Sequence, residues 1–240
     1  LTVLLRTTGN GSLAPLRRLD ALWRLDDRAS AALESSIAAT ILEPAGRELV
    51  KEGQKIAKAM LVVSGLGARY RLLADGRRQL ISFVLPGDLF GICHHPEPLA
   101  VSGLMSLTSL GVCPAPSASI SETLDHAYRV SNALEEAYLL AQITRLGRMS
   151  ARERLLDLVL EIEERLALAG LAQNGRFQLP VTQETLSDAL GLTPVHLNRT
   201  IQVIRREDDL QWRAGWITIR DPALLARKVG RTPTKVTSAR

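Results

Sequence analysis

The spacing of apolar positions changes character along the chain, and each change marks a different element. Leu16–Ser36 places Leu19, Leu22, Trp23 and Leu33 at helical intervals, interrupted by a cap-like Asp26–Asp27 pair. From Ile37 to Val112 the runs shorten and alternate, as in "ARYRLL" and "RQLISFVL". Turn signals such as "KEGQ", "SGLG" and "LPGD" separate them. This spacing, with Asp75–Gly76 as a hairpin turn, predicts an antiparallel barrel or roll. "CPAPSAS" (Cys113–Ser119) reads as a Pro/Ser linker closing that region.

Helical spacing returns from Ser121 to Met149. Val130, Leu134, Ala137, Ala141 and Thr144 recur at four- and three-residue steps. A seam this narrow and this rich in small residues fits a helix packed lengthwise on its twofold mate, or else one covering the barrel. Ser150–Gly170 is a second amphipathic helix, with Ser150 as N-cap and Gly170 as its stop. "RFQLPV" is a short strand, and Leu210–Asp221 reads as a hairpin around Ala214–Gly215.

Between those strands lies "TQETLSDALGLTPVHLNRTIQVIRRE" (Thr182–Glu207). Thr182 is placed to cap a helix over Gln183–Leu190 that buries Leu186 and Leu190. Gly191 allows the positive φ of a tight turn, and Leu192 fills the angle between helices. Thr193 caps a second helix that starts at Pro194, where a missing N–H costs nothing. Leu197, Ile201 and Ile204 then point inward, while His196, Asn198, Arg199, Gln202, Arg205 and Arg206 point outward. The small Ser187 lets the helices approach closely. The pattern is a helix-turn-helix whose second helix carries polar groups suited to base edges, and the flanking strands make it a winged helix.

Charge agrees with a polyanionic partner. The chain carries +5 net, and from Arg176 onward eleven basic residues face six acidic ones, whereas the rest is balanced at nineteen each. With no Gly-rich phosphate loop, nucleophile elbow, zinc spacing or paired-carboxylate motif, an enzyme is disfavoured. A non-DNA ligand-binding or scaffolding module whose C-terminal domain binds protein is the other alternative, separable by the steep salt dependence that DNA binding shows. No apolar run approaches the ~18 residues of a membrane span. "LTVLL" is too short for a signal-peptide core, so a cytoplasmic protein is expected. Two cysteines, Cys93 and Cys113, imply no disulfide framework.

The roll with "LPGDLFG" (Leu85–Gly91), the long helix, and "LPVTQETLSDALGLTPVHLNRTIQVIRRE" with its wing together resemble the Crp/Fnr transcription regulators. The resemblance implies an α+β chain that binds double-stranded DNA at an inverted repeat as a homodimer. The turn-rich residues 1–15 read as an arm; after it the resemblance implies a cyclic-nucleotide-binding-like sensor roll at 16–119, a dimerisation helix at 120–149 and a winged helix-turn-helix at 150–240. Contact with RNA polymerase belongs to the same picture. The helix-turn-helix pattern and its wing make Thr182, Gln183, Thr193, Pro194, Val195, His196, Asn198, Arg199, Gln202, Arg205 and Arg213 the expected DNA-binding set, and the spacing along the long helix puts Val130, Leu134, Ala137, Ala141 and Thr144 at the dimer seam.

The chain departs from the family in three places. Many members open the second helix with Ser/Thr-Arg-Glu, where this chain has Thr193, Pro194 and Val195; Arg199 matches the basic position one turn later. The glycine that usually follows is replaced by "REDDL", so Asp208 or Asp209 is expected to take up the turn. In the sensor, Ile92 stands where nucleotide-binding members carry the ribose Glu, and no Lys or Arg occurs from Gln79 to Tyr128. A buried phosphate without a local cation is costly, so no cyclic nucleotide and no cofactor is expected. Cys93 and His95 share the C-x-H spacing of one haem-sensing branch, which leaves haem or redox sensing as the alternative. Two cysteines exclude a four-thiolate iron–sulfur cluster within one chain.

Overall fold

The computed structural model describes residues 13–92, 95–207 and 209–238. In chain order the elements are α1 (Ala14–Leu22), α2 (Asp27–Ala38), β1 (Ile41–Glu43), β2 (Glu48–Val50), β3 (Met60–Ser64), β4 (Gly67–Leu72), β5 (Arg78–Val84), β6 (Leu89–Phe90), β7 (Gly103–Ser106) and β8 (Leu110–Pro114). There follow a 3₁₀ turn (Ala118–Ile120), α3 (Glu122–Arg148), α4 (Ala151–Leu168), β9 (Arg176–Gln178), α5 (Gln183–Leu190), α6 (Pro194–Arg206), β10 (Leu210–Arg213), β11 (Trp216–Ile219) and α7 (Pro222–Val229). They form two compact units. One holds the described residues up to Arg71 with Phe83–Ala133 and Leu168–Gly170; the other holds Leu72–Ser82, Leu134–Ala167 and Leu171 onward.

The first unit is the expected roll. Two four-stranded antiparallel sheets, ordered β1-β8-β3-β6 and β2-β7-β4-β5, face each other across Val62, Val84, Leu104, Leu110 and Val112. Because strand residues alternate sides, Leu61 and Val63 of β3 turn the other way, into a core shared with Leu19 of α1, Leu33 and Ile37 of α2, and Leu124 and Tyr128 of α3. The break between α1 and α2 is the predicted Asp pair: Asp26 caps α2 by accepting the Ala29 amide at 2.7 Å. That bond and the Ser121 hydroxyl hold its carboxyl below the usual carboxylate range, the hydroxyl contributing most. Helix α1 begins at Ala14, inside the span expected to be an arm, because Pro15 suits a first turn. Cys113 and Pro114 belong to β8 and not to a linker; Cys113 is buried in the sheet.

Arg18 is buried where an arginine is not expected. Its guanidinium donates to the Gly87 carbonyl at 2.7 Å and to the Ser131 hydroxyl at 3.0 Å, and pairs with Asp88 at 3.1 Å. Gly87 has φ +92°, and a Cβ there would lie 2.6 Å from Arg18 Cδ. The "LPGD" turn is therefore shaped around that side chain, with glycine as the residue that fits.

The second unit is organised by buried charge. Arg145 of α3 is 1% exposed and binds Asp157 of α4 at 2.7 Å and Glu161 at 2.6 Å, with Gln142 as a further partner. Arg165 reaches Glu161 at 3.3 Å and lies over the Tyr138 ring at 4.9 Å. Arg231, after α7, binds Asp157 at 3.1 Å and Glu164 at 3.0 Å. Burial pushes the Glu164 carboxyl above its ordinary range, with Arg231 pulling it back. Three cations thus meet three carboxylates, all nearly out of water except the partly exposed Glu164, an arrangement that holds only while each member keeps its partners.

Replacing Arg145 by alanine is expected to leave Asp157 and Glu161 underpaired and to cost about 3–5 kcal/mol of stability. Urea unfolding followed by circular dichroism measures this. A loss under about 1 kcal/mol would show the network to be dispensable.

Candidate nucleic-acid interface

The helix-turn-helix forms where its caps dictate. Thr182 Oγ1 accepts the Thr185 amide at 3.1 Å and starts α5, and Thr193 Oγ1 accepts the His196 amide at 3.2 Å and starts α6. Gly191, between them, sits at φ +62°. Thr182 Oγ1 also shares a hydrogen bond with Thr185 Oγ1 at 2.9 Å, whereas the Thr193 hydroxyl keeps its O–H as a donor. Two side chains anchor the last turn of α5: Gln142 donates to the Ala189 carbonyl at 2.7 Å and Arg154 to the Leu190 carbonyl at 3.0 Å. At the start of α4, Ser150 and Glu153 form a capping box, and the Ser150 amide and hydroxyl hold the Glu153 carboxyl below its usual range.

Helix α6 has two faces. Leu197, Ile201 and Ile204 are buried as their spacing predicts, joined by Thr200, whose hydroxyl donates to the His196 carbonyl at 2.9 Å. On the opposite side Val195, Arg199, Gln202 and Arg206 recur at steps of four, three and four, making one exposed stripe. Among the described residues neither Arg199 nor Arg206 forms an ion pair, so both guanidinium groups are free for an anion or a base edge. His196 is exposed at one margin of the stripe. Asn198 lies at the other margin and donates to Gln183 Oε1 at 3.3 Å, so these two residues link α5 to α6. Arg205 leans away, donating to the Trp212 carbonyl at 3.3 Å, which fastens α6 to the wing.

The wing is a three-stranded sheet ordered β10-β11-β9, its core made by Phe177, Leu210, Ile217 and Ile219. Ala214 and Gly215 turn the hairpin with φ of 50° and 79°, the two-residue geometry that positive φ at both positions requires. Arg213 is exposed beside this turn. Arg176 of β9 stacks over the Trp216 ring at 4.6 Å, a pair that sequence reading misses because it joins residues on different strands. The sequence predicts an Asp at positive φ in the turn between α6 and β10. Asp209 adopts no such conformation and instead binds Lys228 of α7 at 2.7 Å, while Asp208 lies outside the described residues.

Leu72–Ser82, the tip of the β4–β5 hairpin, also belongs to this unit. Arg78 holds the Asp188 carboxylate of α5 through two nitrogens, at 2.6 and 2.9 Å, and Gln79 donates to the Asp188 carbonyl at 2.7 Å. Asp188 therefore faces its own chain and adds little negative potential to the α6 stripe.

The remaining expected sites lie elsewhere. Along α3, Val130, Ala137 and Ala141 are half-buried and Thr144 is exposed, but Leu134, at 5% exposure, is buried within its own chain. Leu140 (59%) and Ile143 (68%) are the exposed apolar residues of this helix. In the roll, Arg69 donates to the Ser102 hydroxyl at 3.1 Å, while Arg71 is held by Glu52 at 3.1 Å and the Val101 carbonyl at 3.0 Å. Cations from β4 thus border a segment that has none of its own. Of the haem candidates, Cys93 lies outside the described residues. His95 is exposed, with Nδ1 accepting the Glu97 amide at 3.1 Å. The described residues hold no cluster of three metal-binding side chains, and no described helix is long and apolar enough to cross a membrane.

Comparison with known proteins places this geometry. A Crp-like helix-turn-helix domain model matches residues 153–228. The nitrogen fixation regulation protein FixK of Bradyrhizobium diazoefficiens is 31% identical over 167 residues, which cover 68% of this chain and 70% of that protein. The transcriptional activator protein FnrL of Cereibacter sphaeroides is 29% identical over 203 residues, 80% of each. Among solved structures, FixK2 from Bradyrhizobium japonicum superposes with a TM-score of 0.67 at 26% identity, over 78% of this chain and 95% of that one. A CRP-family transcriptional regulator from Thermus thermophilus shares the fold at 20% identity, with a TM-score of 0.63 over 81% of this chain and 98% of that one. The chain belongs to the Crp/Fnr family, whose members are DNA-binding transcription regulators and not enzymes.

Proposed function

We propose that this regulator binds an inverted-repeat operator as a homodimer, each copy laying α6 in the major groove of one half-site. The observation that carries the reading is the two-faced α6. One side is buried, and the other presents Arg199, Gln202 and Arg206, with both arginines free of ion pairs among the described residues. In this role Arg199 reads a base edge bidentately, and Thr182, Gln183, Thr193 and Arg213 meet phosphates through hydroxyl, amide and guanidinium groups. Pro194, His196, Asn198 and Arg205 lie close enough to complete the footprint.

The dimer seam follows from the exposed side of α3. Ala133, Ala137, Leu140, Thr144 and Gly147 repeat at steps of four and three, none of them buried, with Ile143 alongside. Small residues at three of these positions permit close approach of a second copy of the helix. This seam keeps Ala137 and Thr144 from the sequence pattern, replaces Leu134, which is already covered, and leaves the half-buried Val130 and Ala141 at its margin. Two copies so joined present their reading helices about 34 Å apart, one turn of DNA. FnrL is named an activator; contact with RNA polymerase and a cytoplasmic location extend the same proposal to this chain.

The sensor is proposed to work without a cyclic nucleotide. Arg71 is committed to Glu52 and a carbonyl, and Gln79–Tyr128 supplies no cation for a phosphate.

Three outcomes are expected. Arg199→Ala should weaken operator binding by roughly 1–3 kcal/mol and relax specificity at one base pair per half-site; an unchanged footprint by fluorescence anisotropy and nuclease protection contradicts the assignment. Leu140→Glu with Ile143→Glu should yield monomers in sedimentation, and a stable dimer would place the interface elsewhere. Millimolar cyclic AMP should leave the melting temperature unchanged, whereas a ligand at a hundredfold excess over its Kd would add about 2.7 kcal/mol.

A further inference from the structure

Val195 is the apolar member of an otherwise polar stripe. It is the second residue of α6, 64% exposed, and in line with Arg199, Gln202 and Arg206. Its position is well fixed: Pro194 occupies the first helical position, and the Thr193 cap bonds the amide of the very next residue, His196, at 3.2 Å. A β-branched side chain in a helix keeps essentially one χ1 rotamer, so the two methyl groups of Val195 are presented in a fixed direction.

That placement restricts what Val195 can recognise. The first residues of a reading helix approach base edges most closely. Valine offers neither donor nor acceptor there. Guanine, cytosine and adenine present hydrogen-bonding groups and no methyl in the major groove, and those groups lose water against a valine methyl without replacement. Thymine alone presents a methyl group. We infer that Val195 is a specificity-determining residue that reads the 5-methyl group of one thymine in each half-site. The inference rests on the proposed docking of α6 in the major groove. Arg199 lies one helical turn further, about 6 Å along the axis. The thymine therefore falls within about two base pairs of the guanine that a bidentate arginine selects.

The test uses the full-length protein and an operator obtained by in vitro selection. Each thymine of the half-site is replaced in turn by uracil, which removes the methyl group and leaves pairing unchanged. At one thymine per half-site, uracil should weaken binding about fourfold, the worth of one buried methyl group. Val195→Ala, at an exposed position with good helix propensity, should fold normally, bind the thymine operator more weakly and show a smaller uracil penalty, because its single methyl reaches the 5-methyl group less closely. Val195→Glu should shift the selected base from thymine to cytosine, whose amino group a carboxylate accepts. If the wild type binds its operator specifically but every uracil is neutral, or if Val195→Ala keeps the full uracil penalty, the inference is overturned while the proposed function stands. If selection yields no specific, salt-sensitive binding, both are overturned.

Discussion

Buried ionic matching in the second unit sets the position of everything that would meet DNA. Arg145 has no water to fall back on, so its charge is tolerable only with Asp157 and Glu161 in contact. Those two carboxylates in turn need Arg231 and Arg165. The end of α3, the length of α4 and the segment after α7 are thereby held in one register. The same stretch of α3 and α4 sends Gln142 and Arg154 to the last carbonyls of α5, so the charged core fixes the direction of α5 and, through Gly191, that of α6.

Upon that base, α6 divides its labour by face. Its buried side packs with the wing, and Arg205 ties it to the Trp212 carbonyl. Its exposed side carries Val195, Arg199, Gln202 and Arg206, the face proposed to meet DNA. Acidic neighbours of the stripe are neutralised within the chain: Asp188 by Arg78, Asp209 by Lys228 and Glu207 by Arg152 at 3.0 Å. With these three carboxylates paired, the charges of Arg199 and Arg206 on the stripe are left less opposed, which favours approach of a polyanion.

Local chemistry makes part of this legible in the sequence. The limits of α5 and α6 are readable because Thr182, Thr193, Pro194 and Gly191 each act within a few residues of themselves. The inward positions of α6 follow from spacing alone. The roll is readable as a class, since alternation and turn dipeptides announce antiparallel strands. What spacing cannot show is contact between distant residues. Leu134 fits a seam by period yet is buried in its own chain. Arg18, Arg145 and Arg176 read as surface cations until Asp88, Asp157 and Trp216 are brought beside them. The turn after α6 looks costly for want of a glycine, whereas the link of Asp209 to Lys228, nineteen residues on, is tertiary.

The two threonine caps also bear on kinetics. Helices that begin at fixed, side-chain-satisfied amides exist before any partner arrives, so association need not wait for a segment to order itself. Encounter with DNA is then limited by diffusion and charge steering, and differences among operators appear in how long the complex lasts and not in how fast it forms. A regulator built this way discriminates by residence time. Its search along non-specific sequence stays rapid because little needs to refold at each step.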